Sequence, residues 1–254
     1  MIIKNKNHLQ ILNYISELKT KSLVSKRDLG RLNTNWVKKY LVTDKIYHGF
    51  SSQEMVDLAK DLLKKNNFDN QELIDLLNSL YQNGTTYTEI TLAATILSRS
   101  SKLLQNFDPK NLDLWLNYTC GWAENDVLCQ SNFSSEIVLN NWSNWQKILK
   151  DFSQSKNINK RRASLVLLTK SLSRSDDPRL SKLAFQNIEN LKSEKEILIT
   201  KAVSWLLRAL VAFHQPEVLV YLEKNKDTLP KIAYREAFSK ATTGRKYNNS
   251  KKQK

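Results

Sequence analysis

Three helix starts recur at nearly constant intervals: Ser51 with Glu54, Asp69 with Glu72 and Thr86 with Glu89. In each, a short polar side chain stands three positions ahead of a glutamate, so each side chain can take a free backbone N–H of the other residue. Starts 17 to 18 residues apart leave room for a helix of a few turns and a tight connection, and little for strands. Ser193 with Glu196 repeats the spacing, and Asp108-Pro109, Asp177-Pro178 and Gln215-Pro216 set proline at a first helical position. The apolar pattern agrees. Met55, Leu58, Ala59, Leu62 and Leu63 form one stripe, Leu73, Ile74, Leu76, Leu77 and Leu80 another, with Asn83-Gly84 as a turn. Only 5 Gly and 4 Pro interrupt 254 residues, so the fold class is all-α.

A helix pair on this spacing occupies about 36 to 40 residues, the scale of HEAT-like repeats, which predicts an α-solenoid with a concave basic face. Residues 1–242 read as one such domain, the longest polar gap being "SQSKNIN" at 153–159. Residues 243–254 carry charge without an apolar pattern and read as a basic flexible tail.

The net charge is +15, from 40 Lys and Arg against 25 Asp and Glu. The last ten residues hold five of the positive charges and no acid, so the excess belongs mainly to the body of the chain. A polyanion partner gains affinity for such a surface by releasing condensed counterions. No run of about 18 apolar residues is evident, and the N-terminal stretch is too polar for a signal segment, so the expectation is a cytoplasmic protein without a membrane span. Cys120 and Cys129 lack metal or disulfide spacing, and His8, His48 and His214 are scattered singly, as structural or surface residues are. No phosphate loop or dinucleotide fingerprint occurs, so neither a metal nor a cofactor is expected.

An acid in so basic a chain then stands out. In "GWAENDVLC", Trp122 precedes Asp126 by four residues, which on a helix sets an indole and a carboxylate on one face. Arg162, in "NKRRASLVLL", lies 40 residues further on, and Trp205, in "KAVSWLLRAL", another 43. Those intervals are one helix pair each, so stacked repeats would present all of them on the concave side. Most tryptophans on such helices are core residues, and Trp36, Trp115, Trp142 and Trp145 are read so.

The three stretches together resemble the AlkD-type HEAT-like DNA glycosylases, which remove cationic alkylpurines. "WAEND" matches the family's Trp-x-x-x-Asp element, "RRAS" its Arg-small-small element, and "KAVSWLLRAL" its Lys-Ala-x-x-Trp-x-x-Arg element; "PKIAYREAFSKA" at 230–241 looks like its terminal helix. The likeness covers roughly residues 36 to 241 and is strongest after 120. It departs from the family at Ala123, where a polar residue is common, and at Ser164. It implies that Asp126 is the catalytic carboxylate, that Trp122 and Trp205 flank the lesion's deoxyribose, and that Arg162 holds phosphate, with Arg161 interchangeable under a one-residue shift. Lys160, Arg208 and Tyr40 are taken with them as DNA contacts.

The chemistry implied is consistent with those residue types. A purine alkylated at N3 or N7 is already a cationic leaving group, so no general acid is needed. Positive charge then develops on the sugar, where an ionised carboxylate and two indole faces stabilise it. The expected substrate is duplex DNA carrying alkylated purines, bound by a monomer that leaves the base unextruded. The rival expectation is a noncatalytic HEAT-like protein that binds DNA structures or serves as a scaffold.

Overall fold

A computed structural model describes residues 6–21, 39–131 and 133–246. Among them there is no strand, only an isolated bridge between Ile46 and Thr86, and the fold is the all-α array that the cap spacing implies. The chain divides into two compact units, 1–132 and 133–254.

The first unit begins with α1 (Lys6–Lys21), followed after residues 39–51 by α2 (Ser52–Asn66), α3 (Asn70–Asn83), α4 (Tyr87–Arg99), the short α5 (Ser101–Gln105) and α6 (Lys110–Trp115), and α7 (Gly121–Cys129). All three anticipated capping boxes at Ser51, Asp69 and Thr86 are formed in both directions. Helix α4 lies at the centre, packed on α2, α3 and α7, and is buried along nearly its whole length. Its cap is also an anchor. Glu89 takes the Thr86 N–H at 3.0 Å and hydroxyl at 2.7 Å through one oxygen, and meets His8 Nε2 of α1 at 2.9 Å through the other. His8 is fully buried, and its Nδ1 lies 2.8 Å from Ser79 Oγ on α3. A core histidine thus ties three helices with hydrogen bonds that burial makes costly to lose. Trp115 is core, stacked on Tyr81 with its indole N–H given to Asn78.

The second unit comprises α8 (Ser135–Asn140), α9 (Trp142–Ser153), α10 (Ile158–Leu172), α11 (Pro178–Leu191), α12 (Ile197–Lys224) and α13 (Lys231–Thr243). Helix α10 is buried on nearly all sides from Arg162 to Leu172 and packs on α9, α11 and α12. The Asn187 amide of α11 donates to the Leu149 carbonyl of α9 and the Ser164 carbonyl of α10, fixing their register. Trp145 is core against Phe133, whereas Trp142 lies nearer the surface with the Arg179 guanidinium 5.8 Å from its ring centre. Trp36 lies outside the described residues.

One expectation is corrected, and two others bear on α12. Ser193 does not cap: α12 starts at Ile197 with Glu196 as its own N-cap, accepting from the Leu198 N–H, because the turn after α11 occupies 192–196. Pro216 stands where the sequence expects it: α12 breaks at His214 (φ −125°, ψ 36°), so Gln215 and Pro216 open its second segment, where the missing N–H of a proline costs no helical hydrogen bond. Finally, α12 is long and apolar enough to cross a membrane by length and composition, with a mean hydropathy of 1.5 over 18 residues. Half of that stretch is buried within the protein, where α12 packs on α10 and α13. At the C-terminal end, Gly244 closes α13 in the left-handed conformation, the Arg245 carbonyl accepts from Ser239, and Lys246 lies 3.4 Å from Glu236. The rest of the proposed tail, 247–254, lies outside the described residues.

Candidate nucleic-acid interface

Helix α7 starts abruptly. Cys120 is its extended N-cap, and Gly121 enters with φ +67°, a conformation in which a side chain on an L-residue is strained. Space enforces the same choice, since a Cβ at Gly121 would stand 2.3 Å from the carbonyl oxygens of both Leu41 and Val42. The segment 39–46 therefore passes directly over the helix entrance.

Several bonds hold it there. Trp122 Nε1 donates to the Tyr40 carbonyl at 2.6 Å, and Cys120 Sγ to the Val42 carbonyl at 3.3 Å. Glu124, buried on the same helix, accepts from the Thr43 hydroxyl (3.1 Å), from Lys45 Nζ (2.6 Å) and from the Cys120 N–H (2.7 Å), and Lys45 also reaches the Tyr118 carbonyl. Burial pushes the Glu124 carboxyl above its ordinary range, against the opposing pull of Lys45 and the two other donors. Sequence reasoning missed Glu124. Its partners Thr43 and Lys45 lie about 80 residues upstream, so no local spacing pointed to it.

With its indole nitrogen occupied, Trp122 is fixed in orientation, and the Tyr40 ring meets it edge-on with centroids 5.4 Å apart. Asp126 follows one turn along the same face of α7, half-buried like Trp122. Of the candidates, Tyr40, Trp122 and Asp126 thus belong to one local structure in the first unit. One face round from Asp126, Val127 and Gln130 join Leu41, Tyr47 and Tyr87 around a cavity of about 400 Å³.

The other candidates belong to the second unit. Lys160, Arg161 and Arg162 occupy the first turns of α10, capped by Asn157. The sequence treats the two arginines as interchangeable, and the structure separates them. Arg161 folds back to the carbonyls of Ser155 and Lys156 and pairs with Glu194 at 2.7 Å. Those contacts lock the polar 153–159 loop and offset the unfavourable position of a cation near a helix N-terminus. Arg162 is buried, and its guanidinium donates to the Leu198 carbonyl in the first turn of α12. That helix carries Trp205, half-buried, and Arg208 one turn on. Arg208 lies 3.7 Å from Glu236 of α13, which also accepts from the Ser204 hydroxyl at 2.6 Å. Burial pushes the Glu236 carboxyl up, but Ser204, Lys246 and Arg208 outweigh it and hold the group below its ordinary value.

Among the described residues no cluster of His, Cys, Asp and Glu has the composition of a metal site. A family model described as "DNA alkylation repair enzyme" matches residues 22–241. Curated proteins give no match. A solved structure titled as a predicted DNA alkylation repair enzyme from Enterococcus faecalis superposes with a TM-score of 0.66 at 19% identity, covering 83% of this chain and 94% of that one, a likeness that shows a shared fold. With the family match spanning most of its length, this chain belongs to the DNA alkylation repair enzyme family.

Proposed function

We propose that the protein is a DNA glycosylase that hydrolyses the N-glycosidic bond of cationic N3- and N7-alkylated purines in duplex DNA, leaving the lesion stacked in the helix. The observation that carries this reading is the pairing of Trp122 and Asp126 on one face of α7, with the indole pinned by the Tyr40 carbonyl, in a chain of +15. A fixed indole presents its electron-rich face without an ordering cost when substrate arrives. A carboxylate beside it favours the oxocarbenium-like sugar that forms as the charged base departs.

In this reading Asp126 stabilises that cation and orients the attacking water, while Trp122 and Trp205 wall the deoxyribose. Lys160 and Tyr40 contact the phosphate backbone, which positions the duplex and carries no sequence information, while Arg161, Arg162 and Arg208, each already bonded within the fold, would have to exchange those partners for phosphate to do the same. The departing base needs no protonation, and the proposed reaction uses no metal or cofactor.

The test is release of methylpurine from methylated duplex DNA. Asp126→Asn keeps the size and removes the charge, and its expected effect is a loss of about 10²- to 10³-fold, the scale of removing one preorganised electrostatic partner. Equal release by both proteins would remove Asp126 from the chemistry. Tight duplex binding with no release by wild type would favour the noncatalytic DNA-binding alternative.

A further inference from the structure

Helix α13 packs on α12 and buries a face of small residues, Ala233, Ala237 and Ala241. Glu236, the single acid of the helix, is turned inward to Ser204 and Arg208. The opposite face has another character. Lys231, Arg235, Phe238 and Thr242 recur at spacings of four, three and four, so they stand one above another along the helix, and all are exposed. Between Ala237 and Lys254 the sequence adds six Lys and Arg and no acid.

Two rings lie within this basic strip. Tyr234 and Phe238, one turn apart, are stacked, with centroids 5.7 Å apart and planes 8° from parallel. The more exposed ring, Phe238, is 43% accessible, so burial in the core is not what places it. Held parallel by their helix, the pair offers a flat apolar face among cations. Arg161, Arg179 and Arg208 each have an acidic partner, whereas among the described residues Lys231 and Arg235 have none.

We infer that this face of α13 is a stacking platform for unpaired nucleotides of single-stranded DNA, with Phe238 taking a base and Lys231 and Arg235 the flanking phosphates. Bases stack on protein aromatics whatever their identity, because every base has a π face, and cations beside the ring follow the backbone. A strip with cations and no acid favours a polyanion over a neutral protein surface. The rings favour a single strand over a duplex, in which each base face is already covered by its neighbours. The platform therefore makes no demand on a lesion that stays stacked. It goes beyond the glycosylase reading and holds the protein at DNA whose bases are unpaired.

The experiment uses fluorescence anisotropy of the full chain with a labelled oligodeoxyadenylate and with an equally long strand of tetrahydrofuran abasic residues, which keeps the phosphates and lacks the bases. Wild type is expected to prefer the oligodeoxyadenylate by about 10-fold, the scale of one base stacked on one aromatic side chain. Phe238→Ala and Phe238→Leu are expected to bind both strands equally, at the wild-type affinity for the abasic one; leucine keeps an apolar side chain and removes only the flat face. Changing Lys231→Gln and Arg235→Gln together is expected to weaken both strands and leave the preference intact. Equal binding of the two strands by wild type, or an undiminished preference in Phe238→Leu, overturns the platform. So does binding of neither strand, and capture by phosphatidylserine vesicles would then give the face to a lipid surface. Methylpurine release from methylated duplex by Phe238→Leu is expected at the wild-type rate. A strand preference without release by wild type overturns the glycosylase reading alone, and release without a preference overturns the platform alone.

Discussion

Glu124 and Asp126 stand two positions apart on one short helix and do opposite things. Glu124 turns inward and accepts three hydrogen bonds, while Asp126 shares the half-buried face of Trp122. The sequence makes the pair Trp122–Asp126 legible because a four-residue spacing survives any small error in helix boundaries. It does not reveal Glu124, whose partners Thr43 and Lys45 are about 80 residues away and become visible only once the 39–46 segment is placed. Glu124→Ala would leave the Thr43 hydroxyl and the Cys120 N–H without this acceptor and Lys45 with the Tyr118 carbonyl alone. The expected cost is about 2 to 3 kcal/mol, the scale for a buried bond to a charged group, read by chemical denaturation. Methylpurine release should fall with it, because the segment that orients Trp122 would be loosened. A loss of less than about 0.5 kcal/mol would show that the clamp is replaceable by water.

At the scale of elements, capping boxes at Ser51, Asp69 and Thr86 could be read in advance because their partners are three residues apart. Ser193 fails as a fourth because the turn after α11 runs on to Glu196, which caps α12 itself. The α12–α13 contact was illegible for a different reason. It depends on Glu236, placed by Ser204 and flanked by Arg208 and Lys246. Its carboxyl is held below the ordinary value, so the folded state binds a proton less readily than the unfolded chain. The stability it contributes is therefore fully present above the unfolded pKa of about 4.5 and is lost as pH falls through the lower folded value. Glu236→Gln should destabilise by about 1 to 2 kcal/mol at neutral pH, and the gap to wild type should close on acidification below about 4.5. A gap unchanged between pH 7 and pH 3 would mean that the charge is not what matters.

Across the whole molecule, fold class and family were legible because both rest on repeated local patterns: cap spacing, stripes and three short motifs. Which cations are committed to the fold was not. Arg161 and Arg208 look alike in sequence to any surface cation, yet each is engaged with a glutamate. The charge that remains predicts steep salt dependence. Affinity for duplex DNA should fall on a log–log plot with a slope of about −0.9 for each phosphate neutralised, and a flat plot between 50 and 200 mM salt would exclude a backbone-led complex. Helix α12 bears on the making of the protein as well as its action. As a nascent chain leaves the ribosome, the apolar faces of this kinked helix emerge before α13 exists to cover them, a hazard that lasts until the downstream helix docks. Chains that stall before Lys231 would be clients for chaperones and proteases, whereas loss of the first turn of α1 would leave this hazard untouched.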